Sequence, residues 1–406
     1  MKLYRYVNSR DALPRKIPNK IKRLVFQPIS LPAPGTAIII ANTSTGRSFE
    51  RPDACRPNGE LSLTPVCSAT GEGAAFSRLS GRLLTIAALA LLFVVLLSLA
   101  VGAQTIWLGD VLTALFSNDG SAAHSTITTL RLPRTVAGLL AGIALGLAGA
   151  MMQALTRNPL ADPGVLGINA GAALAMVVGV GLLHVTSHFV LVWFAFAGAG
   201  LATLAVYSVA STGRIGATPL RLVLAGVAIG SILRGLTAAY VLTDPELFDR
   251  MVSWDVGTLA LIGYEKILVA LPFILLGVAM AMAVAPTLNI IGLGDETAQS
   301  LGTSILQVRV VTIAAVMLLT GSATAMIGPV GFLGLMAPQL ARAFCGVNQR
   351  HIFLLTLFIA PTILLLADVV GRVATRPADI DVGIVAAAIG APVLIWIVRS
   401  RKVAAL

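Results

Sequence analysis

The sequence predicts an all-α membrane protein with about ten transmembrane helices, and three observations carry that prediction. Of its 406 residues 57% are hydrophobic and only 12% charged, against roughly 25% charged in a soluble domain. Apolar runs of the length that crosses a bilayer, about 20 residues, recur near 83–102, 135–155, 165–183, 189–210, 220–241, 267–286, 308–327, 330–345, 351–371 and 382–398. Most ionisable residues fall at the ends of these runs or between them.

The chain begins with 1–81, rich in Pro, Ser, Arg and Gly and without periodic apolar spacing. Such a segment cannot bury enough surface to fold alone, and it is expected to be a disordered cytosolic tail. Its apolar stretch Ala37-Ile38-Ile39-Ile40-Ala41 is too brief for a cleaved secretory signal, so the run at 83–102 is expected to serve as an uncleaved insertion signal. From 82 to 402 the chain reads as one helical body with short connections.

The net charge of +11 raises the question of nucleic-acid binding, and the placement of the cations answers it. Thirteen of the 29 Lys+Arg lie in 1–82. With ten spans both termini share one side. Assigning that side to the cytosol puts nine further cations there (Arg157, Arg214, Arg221, Arg309, Arg342, Arg350, Arg399, Arg401, Lys402) and six outside (Arg131, Arg134, Arg250, Lys266, Arg372, Arg376). The excess follows the positive-inside rule; it reports topology, and no nucleic-acid partner is expected.

In the second run Gly138, Gly142 and Gly146 recur every four residues. Small residues at that spacing let helix backbones approach closely where lipid removes the hydrophobic drive, so this helix is expected to be central. The turn behind it, Asn158-Pro159-Leu160-Ala161-Asp162-Pro163-Gly164, lacks two backbone donors and ends the helix sharply. Gly328-Pro329-Val330-Gly331-Phe332-Leu333-Gly334 breaks the chain in a similar way after 308–327. Because the spans before the two breaks run in opposite directions, the pair hints at the inverted repeats used by transporters. Arg234, inside 220–241, either lines a polar cavity of a transport pathway or snorkels to an interface.

The connection at 288–307 holds Gly294-Asp295-Glu296-Thr297-Ala298-Gln299-Ser300-Leu301-Gly302. Acids in a first turn and glycine past the last suit a short helix. About two turns cannot hold themselves together in water, so the helix needs a surface, on this protein or on a cytosolic partner. Asp368 and Arg372 stand at the spacing of a helical ion pair.

Catalytic signatures are missing. The sequence has no G-x-x-x-x-G-K-[ST], no H-E-x-x-H and no G-x-S-x-G. His184 and His188 have no nearby Cys, Asp or Glu, and no metal or other cofactor is expected. A purified-chain enzyme is therefore disfavoured. An ion-coupled carrier stands as the rival within transport, although no acid sits at mid-depth in any run.

Six ordered segments carry a resemblance to a known family: R-L-P-R at 131–134, M-M-Q-A-L-T-R-N-P-L-A-D-P-G-V-L-G at 151–167, G-D-E-T-A-Q-S-L-G at 294–302, G-P-V-G-F-L-G-L-M-A-P-Q-L-A-R at 328–342, L-L-L-A-D-V-V-G-R at 364–372 and V-G-I-V-A-A-A-I-G-A-P at 382–392. The chain resembles the FecCD, or cobalamin-permease, family of ABC importers for iron–siderophore, haem and cobalamin complexes. The resemblance implies a type II ABC importer permease fold with both termini cytosolic, in the bacterial inner membrane. It implies pairing with a second permease copy or a sister permease, a cytosolic ABC ATPase dimer, and a periplasmic or lipid-anchored substrate-binding protein. A ferric siderophore is the expected cargo, with haem or cobalamin as the alternative.

By the same resemblance Arg131, Arg134 and Arg372 dock carboxylates of the binding protein, and Gly294, Asp295, Glu296, Ala298, Leu301 and Gly302 form the element that couples to the ATPase. Gln339 stands where many members have histidine. Asp381 stands in an unusual place near Arg372, where it either pairs with that arginine or meets a basic patch on the binding protein.

Overall fold

The computed structural model describes residues 70–102, 106–116, 122–212, 218–260, 262–376 and 378–399. The expected tail falls outside these as far as residue 69. Its last twelve residues are already helical, because α1 runs Thr70–Ala100. There follow α2 (Leu108–Phe116), α3 (Ala122–Thr126) with a π-helical turn at Ile127–Arg131, α4 (Leu132–Thr156), a 3-10 turn at Pro163–Leu166, and α5 (Ile168–Val177), continued by a π-helical turn to Leu182. Then come α6 (His188–Ser211), α7 (Pro219–Val241), α8 (Pro245–Asp255), α9 (Tyr264–Gly292), α10 (Asp295–Ser300), α11 (Ile305–Ile327), α12 (Leu333–Cys345), α13 (Gln349–Ala374) and α14 (Val382–Arg399). The described residues are all helix and connection.

Every one of the ten expected runs is helical, but only seven helices among the described residues are long and apolar enough to cross a membrane. For two of the three remaining runs the shortfall has a physical cause. Residues 168–182 and α12 rise about 20 Å, less than the roughly 30 Å hydrocarbon core, because the chain re-enters the body before each of them. Behind α4 the turn carries Val165 up against Gly226, and a Cβ built on Gly230, midway along α7, would lie 3.9 Å from Gly167 Cα. Behind α11 the chain likewise folds inward, so that Pro163 Cδ lies 3.3 Å from a Cβ built on Gly334. Each short helix follows a left-handed residue, Gly167 at φ 74° and Phe332 at φ 64°. α4 and α11 run antiparallel: Thr258 N–H donates to Ile327 O at the end of α11, while the neighbouring Leu259 rests on Gly138 near the start of α4. Irregular backbone at this depth survives because it is buried in protein.

α4 is the centre of the body. Eighteen of its residues are buried, and its glycine face lies on α13. A Cβ built on Gly138 would stand 2.6 Å from Leu365 Cδ2, and one on Gly142 2.8 Å from Pro361 N; at Gly146 the obstacle is Ala360 Cβ. One turn on, Gly149 meets the backbone of Gly334 on α12. Side chains of ordinary size would push these helices apart by more than a bond length, so the close approach exists only because glycine is there.

The connections gather at two ends. At one, the last turn of α1 meets Arg131 and Arg372, and Gly383 N–H donates to Gly257 O. At the other, Arg157 bonds Ile291 O and Asn289 bonds Asn348. Because α1 finishes and α14 starts at the first end, both extremities of the described body lie at the second.

Candidate functional site

At the Arg372 end the sequence supplies an acid one turn before a cation on α13, and folding brings α4 alongside. Asp368, wholly buried, accepts from Arg134 Nη2 at 2.8 Å and Nε at 3.0 Å and pairs with Arg372 Nη2 at 2.9 Å. Arg134 also reaches Asp379 Oδ2 at 2.7 Å, with the Asp379 side chain 32% exposed. One carboxylate thus serves two guanidiniums in a nearly dry site, where a lone charge is very costly.

Arg372, together with Arg131, also closes α1. A helix leaves its last four carbonyls without intrahelical donors, and here the cations satisfy them. Arg131 Nη1 donates to Leu99 O and Ala100 O, and Arg372 Nη1 to Ser98 O and Val101 O. Arg372 Nη2 adds a bond to Ser98 Oγ, which is 2.9 Å from Thr135 Oγ1. Arg131 and Arg372 are therefore only 7% and 4% exposed. As folded, neither presents a free guanidinium to a docking carboxylate, and only Arg134 touches the rim. The acid that joins this network from the α13–α14 connection is Asp379; Arg372 is taken by Asp368 and not by Asp381. Sequence spacing pointed to the Asp368–Arg372 pair but not to Asp379, whose partner lies 245 residues away.

At the opposite end α10 is built on its own chain. Gly294, at φ 113°, turns the backbone into the helix, and Gly302, at φ 79°, turns it out. Asp295 stands in the first turn of the helix, as its sequence position suggests, and its carboxylate also bridges two cations, Arg157 at the end of α4 and Arg309 in the first turns of α11, the latter at 2.6 Å. Arg157 holds a left-handed conformation, φ 50°, while its Nε donates to Ile291 O at 2.9 Å. Ala298 is fully buried beneath the helix, Glu296 is exposed, and Leu293 and Leu301 are 67% and 62% exposed. The short helix is thus anchored on this chain while an apolar edge faces away from it. Arg157 and Arg309, counted from the sequence only as topology charges, turn out to be its anchors.

Between the two ends lies a buried polar seam. Gln153 on α4 donates from Nε2 to Gly334 O and Leu335 O, both at 3.2 Å. Gln339 Nε2 donates to Gln153 Oε1 at 3.2 Å and Pro159 O at 2.6 Å. An amide at 339 thereby ties α12 to the Asn158-Pro159 turn, and buried Arg342 Nη1 donates to the same Gln153 Oε1 at 3.4 Å.

Arg234 stands on the C-terminal half of α7, where residues 231–240 are exposed or half-buried all round. Its Nη2 lies 3.6 Å from the point a Cβ on Gly230 would occupy, and the space beside Gly235 is open. Partial burial pushes the Asp255 carboxyl, at the end of α8, above its ordinary range, and the Arg234 guanidinium opposes that rise.

Comparison with known proteins follows the same lines. The model of the FecCD transport family matches residues 90–400. The chain belongs to the FecCD transport family. Among members of that family it is 43% identical over 313 residues to the ferric enterobactin transport system permease protein FepD of Escherichia coli (strain K12), covering 77% of this chain and 93% of that protein. It is 36% identical to the Fe(3+)-citrate import system permease protein YfmD of Bacillus subtilis (strain 168), covering 80% and 97%. The inward-facing structure of a putative metal-chelate type ABC transporter superposes with a TM-score of 0.69 at 24% identity, covering 79% of this chain and 99% of that one. At that identity the superposition establishes a shared fold. As a FecCD protein the chain is a transport permease.

Proposed function

We propose that this chain is the permease subunit of a bacterial ABC importer for a ferric siderophore, seated in the inner membrane with its Arg372 end outward and its Asp295 end in the cytosol. The observation that carries the reading is the 43% identity to the ferric enterobactin permease along nearly its whole length. The permease works as half of a pair, with cytosolic ATPase subunits supplying the energy and a binding protein delivering the chelate.

The geometry supports a division of labour at each end. At the cytosolic end, Leu293, Leu301 and Glu296 meet the ATPase, while Asp295 passes the resulting movement to α4 and α11 through Arg157 and Arg309. At the outer end, docking falls to Arg134. A carboxylate of the binding protein replaces Asp379 at Nη1, because that pair is exposed and weakly held, while Asp368 keeps the guanidinium oriented. Arg131 and Arg372 contribute by holding the end of α1 beneath it.

The test is ATP hydrolysis by the permease co-purified with its ATPase in nanodiscs, with and without binding protein loaded with ferric siderophore. Stimulation by the loaded protein is expected. Failure of an intact ATPase to co-purify would return the choice to an ion-driven carrier.

A further inference from the structure

Arg234 lies deep in the bilayer and does not reach for its surface. It is seven residues from the outer end of α7, about 10 Å along the axis. Helical side chains lean toward the N-terminus of their helix, which for α7 is the cytosolic end, and the guanidinium does lie back over Gly230, at the middle of the helix. A snorkelling arginine would extend the other way.

The same level holds Gly167, the break from which α5 starts. A cation this deep is too costly to leave against lipid, and irregular backbone at this depth belongs inside protein or beside an aqueous cavity. Residues 231–240 of α7 are exposed or half-buried within this chain, and in a paired permease such a face is either covered by the second copy or lines the pathway.

We propose that Arg234 is a specificity-determining contact for the passing chelate, and that the chelate is an anion of the catecholate class. The proposal rests on the importer reading above and deepens it. Iron chelates divide by charge. Each catecholate brings two negative charges, so three of them around Fe(III) make a multiply charged anion, whereas three singly charged hydroxamates make a neutral complex. A guanidinium fork presents paired N–H donors that match adjacent catecholate or carboxylate oxygens. A neutral chelate draws no comparable benefit from it.

The experiment uses the host with its chromosomal gene deleted or replaced, and measures uptake of radiolabelled iron as a ferric tris-catecholate and as a neutral ferric tris-hydroxamate. Deletion is expected to abolish tris-catecholate uptake. Arg234→Gln should reduce that uptake about tenfold or more, the scale of a lost charge-assisted hydrogen bond, while Arg234→Lys, which keeps the charge but not the fork, should fall between Arg234→Gln and wild type. Both variants should still co-purify with the ATPase and the second permease copy.

Unchanged tris-catecholate uptake in Arg234→Gln would overturn the assignment, as would loss confined to the tris-hydroxamate in the deletion strain. Failure of Arg234→Gln to assemble would overturn it too, by making Arg234 a tie between subunits. A deletion that spares uptake of both chelates would instead bring down the importer reading itself.

Discussion

Asp368 and Asp379 both bind Arg134, yet removing their charges should have very different consequences. Asp368 is wholly buried between two guanidiniums, Arg134 at 14% and Arg372 at 4% side-chain exposure. In Asp368→Asn the amide keeps the shape but cannot neutralise either cation, and Arg372 has no second carboxylate within ion-pair distance among the described residues. Breaking a buried pair costs about 3–5 kcal/mol, and here the loss falls on two cations, one of which, Arg372, also holds the end of α1.

Asp379→Asn removes only the rim pair. With Asp379 a third exposed, screening holds the cost to about 0–1 kcal/mol. The assay is unfolding of the purified permease in mixed detergent micelles, titrated with SDS and followed by tryptophan fluorescence, with wild type, Asp368→Asn and Asp379→Asn in parallel. Equal and small shifts for the two variants would mean that Asp368 is in contact with water, and the account of this end as a dry network would fail.

Other outcomes follow from the same geometry. Gly142→Leu should prevent a stable permease from accumulating, since even a Cβ would stand 2.8 Å from Pro361 N; membrane immunoblots and detergent size-exclusion profiles would reveal normal protein if the packing were looser. Asp295→Asn should leave ATPase binding in place but lower transport per ATP hydrolysed, because both anchors of α10 lose their partner; unchanged coupling would remove Arg157 and Arg309 from the path of force. Leu301→Asp places a charge on the exposed edge of α10 and should reduce ATPase co-purification while the permease still folds.

Much of this architecture is legible in the sequence because its cause is local. The four-residue glycine spacing of α4 marks the close-packed face before any partner helix is known, and the Asn158–Gly164 turn announces a break by its two prolines. What the sequence hides is non-local. The shortness of α5 and α12 depends on how far the chain climbs back into the body before each one begins, and no spacing records that distance. The arginines of the Arg372 end read as interface cations or as docking groups because a linear sequence does not show that Asp368 is shared or that α1 ends against them. The sequence marks Asp295 as an acid at a helix start, but only folding brings Arg157 and Arg309 to it from opposite sides.

The clasp on α1 also sets an order of assembly. α1 is the least buried of the seven long spans, with 17% of its central window inside the body, so on emerging from the translocation machinery it has little to hold it except lipid. Arg131 arrives soon afterwards and takes two of its carbonyls. The bonds from Arg372 to Ser98 and Val101 span 274 and 271 residues, so they form only when nearly the whole chain has been made. Until then the outer rim stays open, with unsatisfied carbonyls at the membrane surface, in the kind of partly assembled state that membrane quality-control proteases recognise. The late arginine therefore acts as a completion signal: a chain truncated before Arg372, or stalled there, cannot close its first helix, and its half-life in the membrane should be correspondingly short.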